Sequence, residues 1–138
     1  MKILFFLMFV SCAIKAHSSE LKLPDVDIDC DGVIDKTDLF IGTTDFKITV
    51  VASSNNNKSS LEFGIGQPSR QDAICGNTPS FAMVEPDTSE MHVNMFGSKI
   101  DGYKYSPQCR DIIVSGGECD SITVFFNHST GILNWWRL

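Results

Sequence analysis

The chain has 138 residues, the size of one domain, and 43% of them are hydrophobic, which is enough to build a core. It carries 17 acidic residues against 11 lysines and arginines, giving a net charge of −6. No stretch of the sequence is basic, so we expect no nucleic-acid partner and little attraction to an anionic membrane.

The first 18 residues have the pattern of a signal peptide. A lysine precedes the apolar run Ile3–Val10, and small residues follow near a cleavage point after Ala16 or Ser18. The run is too short to span a bilayer. We therefore expect a mature chain that is secreted or periplasmic, without stable membrane insertion. A lipoprotein signal ending at Cys12 is the alternative, although Phe9 is a poor match to its first position.

The next segment, residues 27–38, has the sequence DIDCDGVIDKTD. Aspartates fall at loop positions 1, 3, 5, 9 and 12, with glycine at 6 and an aliphatic residue at 8. This spacing lets several carboxylates converge on Ca²⁺, a hard cation that prefers oxygen ligands. Gly32 permits the sharp turn, and Ile34 is expected to point away from the ion and attach the loop to an apolar neighbour. Without an ion the carboxylates would repel one another.

This loop resembles the calcium loops of dockerin modules and of thrombospondin type 3 repeats, which share the pattern DxDxDGxxDxxD. The resemblance covers residues 27–39 only. Position 12 is Asp where Glu is usual, no second loop follows, and the proline-ended stretch before the loop is no entering helix. The ion site therefore carries over and cohesin binding does not. The resemblance implies Ca²⁺ held by six residues: Asp27, Asp29, Asp31, Val33, Asp35 and Asp38.

The alternative interpretation of this segment is a solvated acidic linker, because runs of like charge are usually solvated. The glycine and aliphatic positions disfavour it, since a linker has no need of them.

Four cysteines remain after cleavage of the leader, and an even number in an exported chain predicts two disulfides with three possible connectivities. We expect Cys109–Cys119, which would close a short loop containing Gly116–Gly117. We also expect Cys30–Cys75, which would attach the calcium loop to the rest of the chain. Cys30 stands at loop position 4, where the side chain points away from the ion.

The remaining elements are predicted in chain order. Leu39–Ile41 are expected to form one helical turn that ends at Gly42. Phe46–Ala52 is rich in β-branched and aromatic residues and Leu61–Ile65 alternates in polarity, so the two predict a hairpin across a polar loop. Residues 66–80 predict irregular structure. Further short strands are predicted at 81–85, 91–96, 99–100 and 103–105 (joined by the turn Asp101–Gly102), 111–115, 121–127 and 131–138.

These elements favour an all-β fold. No stretch after residue 45 has a helical period over ten residues or more, and many short strands with frequent turns are typical of antiparallel sheets. We expect a small antiparallel β-sandwich in preference to a barrel. The predicted organisation is a signal peptide at 1–18, a calcium-loop segment at 19–45 and a β-rich domain at 46–138.

Few residues indicate catalysis. His92 and His128 are expected at the surface, and no serine lies in a nucleophile motif. Trp135 and Trp136 should face opposite sides of a strand, which makes Trp136 a possible ligand contact that stacks on a sugar or anchors a protein. The favoured alternative is that both indoles are buried, since large aromatics mostly serve packing.

The favoured function is an exported, non-enzymatic module that binds a protein or glycan at the cell surface or in the periplasm. Ca²⁺ would have a structural role, ordering the N-terminal segment. One alternative is a small secreted hydrolase with a cleft near residues 66–80. Another is an inhibitor or structural subunit of an exported assembly.

Overall fold

The computed structural model of the chain describes residues 19–86, 97 and 99–137. All strand pairings are antiparallel, in a first sheet of order β1-β2-β3-β4 and a second sheet of order β5-β6-β7-β8. Within these ranges there is no helix, and hence none long and apolar enough to cross a membrane. The predicted all-β class is confirmed. The strands are β1 (Ser19–Lys22), β2 (Lys36–Ile41), β3 (Asp45–Val51), β4 (Lys58–Gly64), β5 (Ser80–Val84), β6 (Asp111–Ser115), β7 (Ile122–Asn127) and β8 (Ile132–Arg137).

Strands form where β-branched and aromatic residues alternate with polar ones. In β3, Phe46 and Ile48 are buried, whereas Lys47 between them is exposed. In β4 the same alternation buries Phe63 and leaves Glu62 exposed. The predicted hairpin of β3 and β4 is confirmed, with Phe46 opposite Phe63.

The inner faces of the two sheets pack together around aromatic rings. Phe46 stacks on Phe63 with ring centroids 5.3 Å apart and meets the edge of Phe81, from β5, at 5.4 Å. Trp135 of β8 packs edge-on against Phe63 at 5.9 Å. One cluster of buried aliphatic and aromatic side chains from both sheets continues between them. The architecture is therefore the predicted sandwich.

The outer face of the second sheet is covered by the segment 99–110. Tyr103 packs edge-on against Phe125 with ring centroids 5.1 Å apart, and its hydroxyl donates to Asp111 Oδ2 at 2.6 Å. The buried Asn127 donates from Nδ2 to the carbonyl oxygen of Asp101 at 3.0 Å. β7 is consequently buried on both of its faces along most of its length.

The predicted helical turn at 39–41 is wrong. Leu39 and Ile41 belong to β2, where they pair with Ile48 and Phe46 of β3. Strand pairing with β3 and burial against it outweigh the local preference for a helical turn, which Gly42 had indicated. β1 and β2 both lie in the first sheet, so the predicted calcium-loop segment shares a sheet with the predicted β-rich domain.

The later predicted strands have mixed outcomes. Those at 81–85, 111–115, 121–127 and 131–138 form as β5 to β8, with ends shifted by at most one residue. The turn Asp101–Gly102 forms, and the N–H of Tyr103 donates to the carbonyl of Ile100 at 3.2 Å, but no strands flank it. The predicted strand 91–96, with His92, lies outside the described residues.

Both predicted disulfide pairings are wrong, because the structure has the pairs Cys30–Cys109 and Cys75–Cys119, with Cα–Cα distances of 4.8 and 5.6 Å. The connection between β6 and β7, which carries Cys119, lies against residues 75–76 instead of folding back on the start of β6. There the N–H of Gly76 donates to the carbonyl of Gly116 at 2.9 Å. A Cβ at Gly117 would lie 2.6 Å from the Gly76 nitrogen, so this approach requires glycine.

We expect Phe46→Ala to lower the free energy of unfolding by about 3–5 kcal/mol, because it removes a buried ring on which Phe63 and Phe81 pack. Phe40→Ala is the matched control: the same ring lies on the neighbouring strand but is 47% exposed, and we expect a change within about 0.5 kcal/mol. Urea unfolding followed by circular dichroism measures both. Equal losses in the two variants would contradict the assignment of the core face.

Candidate metal centre

The acidic loop is closed at its base by an isolated β-bridge. Val26 pairs antiparallel with Asp35, whose N–H donates to the Val26 carbonyl at 3.0 Å. Inside the loop, Gly32 has φ 88° and Cys30 has φ 62°. Glycine is the residue that adopts this left-handed conformation at least cost, which explains its place at position 6 of the loop.

Three of the predicted ligands converge inside this loop. One carboxylate oxygen from each of Asp27, Asp29 and Asp35 lies within 4.8 Å of the other two. Asp27 is 5% exposed and Asp35 is fully buried, whereas Asp29 is half-buried. These are positions 1, 3 and 9 of the calcium pattern, and carboxylate oxygens are the ligands that Ca²⁺ prefers. We call these three residues the aspartate cluster.

Asp35 organises the backbone around the cluster. Its Oδ2 accepts the N–H of Ile28 at 2.9 Å and that of Asp29 at 3.3 Å. Its Oδ1 accepts the N–H of Ser53 at 2.9 Å. The hydroxyl of Ser53 also donates to the carbonyl of Ile34 at 2.6 Å. The connection between β3 and β4 is thus fastened to the loop at two points.

Asp27 orders the other half of the loop. Its carboxylate accepts the N–H groups of Asp31 at 3.2 Å and of Gly32 at 2.8 Å. Its own carbonyl accepts the N–H of Arg110 at 2.9 Å, next to the Cys30–Cys109 disulfide. This hydrogen bond and the disulfide fix the loop to the segment that enters β6. An ionised carboxylate has about four lone-pair sites, so Asp27 and Asp35 keep acceptor capacity.

Two predicted ligands lie at the exposed side of the loop. The pKa of Asp31 is lowered, chiefly by a hydrogen bond from the Ser54 hydroxyl and next by one from the N–H of Val33 at 2.7 Å. Asp31 is exposed, and Val33 is 46% exposed. Neither side chain belongs to the aspartate cluster. For Val33 the predicted ligand is its backbone carbonyl oxygen, not its side chain.

Asp38, the predicted ligand at position 12, is turned away from the cluster. It lies in β2 opposite Thr49, and it is exposed because Thr37 and Leu39 on either side of it face inward. Asp35 and Asp38 are three residues apart on an extended chain, so alternation places their side chains on opposite faces of the sheet. The structure therefore corrects this assignment: the chain enters a strand where a calcium-loop helix would have brought position 12 back to the ion.

The apolar residue that anchors the loop is Ile28. The prediction of Ile34 for this role is wrong. Ile34 is 59% exposed, whereas Ile28, at position 2, is 2% exposed and belongs to the core cluster. Ile34 contributes its carbonyl oxygen to the bond from Ser53. The loop is therefore attached to the sandwich through its first half, between Asp27 and Asp29.

The cluster is electrostatically strained. The pKa of Asp29 is raised from 3.8 to about 6, chiefly by burial and then by the charges of Asp35, Asp31 and Asp27, while the N–H of Asp31 lowers it. Among residues 19–86, 97 and 99–137, no lysine or arginine forms an ion pair with the cluster. A divalent cation would supply the positive charge that the neighbouring side chains do not.

Among the residues that the structure describes, the other candidates do not come together as a hydrolytic site. His128 is exposed and packs edge-on against Phe126. Its pKa is lowered, chiefly by partial burial of the ring and next by the positive charge of Lys104. Two open cavities, of about 210 and 180 Å³, lie beside residues 67–71, in the region predicted for a cleft. Neither of the two is lined by a histidine.

Trp136 is half-buried in β8, opposite Thr123 of β7. Trp135 faces the other side and packs against Phe63 in the core. The two indoles thus point in opposite directions, and a ligand contact at Trp136 stays a prediction.

Comparisons with protein-family models, with curated proteins and with solved structures found no match. The functional argument therefore depends on the loop pattern and on the geometry of the cluster. Three supporting residues are missed at the level of sequence: Ile28, Ser53 and Arg110. Ser53 acts through its N–H and its hydroxyl, and Arg110 through its N–H. Both lie in segments distant from the loop, and no sequence pattern marks either residue.

The raised pKa of Asp29 makes the stability of the metal-free protein pH-dependent. The folded state holds the Asp29 proton more tightly than the unfolded state, so the cost of ionising this group is complete above about pH 6 and absent below pH 3.8. We expect Asp29→Asn, in EGTA at pH 7, to unfold at a higher temperature than the wild type, because it keeps the acceptor for the Asp31 N–H without the charge.

The difference between Asp29→Asn and the wild type should shrink as the pH falls from 7 to about 4. At pH 7 we expect about 1–2 kcal/mol, less than the full pKa shift represents, since the side chain is only half-buried. Thermal unfolding at both pH values measures it. A variant less stable than the wild type at pH 7 in EGTA would contradict the electrostatic account.

Proposed function

We propose that this chain is an exported, non-enzymatic binding module whose loop 27–35 takes up Ca²⁺. The observation that carries the proposal is the convergence of the aspartate cluster, with one oxygen from each residue within 4.8 Å of the others. The DxDxDGxxD pattern of the same residues supports it independently of the geometry. The two disulfides are compatible with an oxidising compartment outside the cytosol, and we assign residues 1–18 to a cleaved signal peptide.

The donor set suits Ca²⁺. Asp27, Asp29 and Asp35 supply carboxylate oxygens only, and no histidine or thiol is part of the group. Ca²⁺ takes six to eight oxygens, so backbone carbonyls and water would complete the shell. Asp27 and Asp35 would bind the ion while still accepting loop N–H groups, and Asp29, with one such bond, is the ligand least committed to the backbone.

We assign the ion a structural role. Bound Ca²⁺ would cancel the repulsion within the cluster. The chain's own contacts would then fasten three segments together: the loop, the β3–β4 connection through Ser53, and the entry to β6 through Arg110. Extracellular calcium sites with dissociation constants of about 10⁻⁴–10⁻³ M are common, so a loop without an acidic ligand at position 12 is still compatible with use outside the cell.

The partner we assign is a protein or glycan at the cell surface or in the periplasm, with Trp136 as a possible contact. The hydrolase alternative gains no support from the cavities beside residues 67–71. An inhibitor or assembly subunit would use the same exported, calcium-stiffened scaffold, and no contact among the described residues favours it over a binding module.

We expect about 10 mM Ca²⁺ to stabilise the wild type by roughly 1.4–2.7 kcal/mol relative to EGTA, the range that a single site of 10⁻⁴–10⁻³ M gives. Asp29→Asn should lose most of this gain, because it removes one of three cluster charges. Thermal unfolding in EGTA, Ca²⁺ and Mg²⁺, with isothermal calorimetry for the affinity, measures both effects.

Asp38→Asn is the matched control, with the same change of side chain at an exposed position on β2. It should respond to Ca²⁺ as the wild type does. A wild type whose melting temperature is unaffected by Ca²⁺ would refute the ion site, and an Asp38→Asn variant that loses the response would restore the position-12 ligand and contradict the cluster described above.

A further inference from the structure

The sequence contains two sites with the N-glycosylation pattern, which is asparagine, any residue except proline, and then serine or threonine. They are Asn57-Lys58-Ser59 and Asn127-His128-Ser129. Both asparagines lie at the end of a strand, since Asn57 directly precedes β4 and Asn127 is the last residue of β7. The pattern is the same at the two sites, so their surroundings in the fold decide which side chain can hold a sugar.

The side chain of Asn57 is open to solvent. Asn57 is exposed, as are residues 53–56 before it in the connection between β3 and β4. Its backbone is held in place, because its N–H donates to Asn55 Oδ1 at 2.8 Å and its carbonyl accepts the N–H of Ala52 at 2.8 Å. Its side-chain amide forms no hydrogen bond with any residue in the described part of the chain. The amide can therefore take a sugar without the loss of a protein contact.

The side chain of Asn127 is enclosed. Asn127 is 3% exposed, and its Nδ2 donates to the carbonyl of Asp101 at 3.0 Å. Its Oδ1 accepts the N–H groups of Ser129 at 2.9 Å and of Thr130 at 3.0 Å. A Cβ at Gly102 would lie 2.9 Å from Asn127 Nδ2, so the amide fills the space beside this glycine. A sugar on Nδ2 would have to displace the turn that covers it.

N-glycosylation forms one bond and breaks another. The donor is an oligosaccharide whose first sugar is joined to a polyprenyl diphosphate. The asparagine Nδ2 attacks C1 of that sugar and loses one proton to a base of the transferase, while the C1–O bond breaks and its electron pair leaves with the polyprenyl diphosphate. The product is a bulky, hydrophilic group that requires a place at the protein surface. Asn57 has such a place and Asn127 does not.

The order of synthesis also separates the two sites, because a chain is made and exported from its N-terminus. In the folded protein the hydroxyl oxygen of Ser59 accepts the N–H of Leu133 at 2.8 Å. Leu133 is made 74 residues after Ser59, so this hydroxyl is free when Asn57 reaches the transferase. At the second site, Asp101 precedes Asn127 by 26 residues, and its carbonyl is already present to accept from the amide.

We propose that Asn57 is a site of N-linked glycosylation and that Asn127, in the same sequence pattern, stays unmodified. This proposal rests on the proposed export of the chain, because the transfer takes place on the exported side of a membrane, but it does not depend on the calcium site. The glycan projects from the β3–β4 connection, next to the hydrogen bonds of Ser53. There it shields residues 53–57, the kind of exposed polar loop that proteases cut.

The test is secretion of the full chain, including residues 1–18, from cultured mammalian cells, followed by digestion with peptide-N-glycosidase F. We expect the secreted wild type to lose the mass of one glycan, with the deamidation that the enzyme leaves found at position 57 by peptide mass spectrometry. Asn57→Gln should abolish this loss of mass. Ser129→Ala is the matched control: it removes the second pattern at an exposed residue, keeps the amide of Asn127, and should carry the glycan as the wild type does.

Three results overturn the proposal: a secreted wild type without a glycan, a glycan on Asn127, or an Asn57→Gln variant that keeps the glycan mass. Thermal unfolding of the secreted variants verifies that they fold. A chain that stays in the cytosol refutes the proposed export together with this site, whereas a secreted chain without a glycan refutes this site alone. Failure of the calcium site appears separately, as a melting temperature that Ca²⁺ does not change.

Discussion

The structure depends most on how three neighbouring carboxylates are accommodated in one loop. At 4.8 Å, two unit charges repel by about 3 kcal/mol at an effective dielectric constant of 20. Part of this repulsion is relieved by the backbone N–H groups that Asp27 and Asp35 accept, and what is left contributes to the raised pKa of Asp29. The proposed Ca²⁺ would relieve the rest, which makes the ion the central element of the account.

The same loop joins parts of the fold that are far apart in sequence. Ile28 lies in the core, Ser53 brings the β3–β4 connection to Asp35, and the disulfide of Cys30 brings the chain before β6 to Asp27. An ion in the loop would therefore stiffen contacts between the first sheet and the chain that enters the second.

Local pattern was enough to predict β3 to β8, but not β1 and β2. Phe46, Ile48 and Phe63 alternate with polar residues in the way that a half-buried sheet requires, and the sequence therefore predicts β3 and β4 together with their pairing. Likewise, the spacing of Asp27, Asp29 and Asp35 predicts that they meet, because all three lie in one short turn of chain. Local preference failed at 39–41, where pairing with β3 decided the conformation.

What sequence could not supply was the tertiary arrangement. The partner of Cys30 depends on which segment passes the loop, and no spacing rule chooses among three connectivities. Asp38 was misassigned because the calcium pattern assumes a helix after position 9, whereas β2 begins at Lys36.

The most direct test of the central claim is a crystal structure of the protein grown with Ca²⁺, with the ion located by its anomalous scattering. The account predicts one strong peak inside loop 27–35, about 2.3–2.6 Å from oxygens of Asp27, Asp29 and Asp35, with Asp38 on the far side of the sheet. A loop without a peak at saturating Ca²⁺, in which these carboxylates bind only backbone N–H groups, would contradict it.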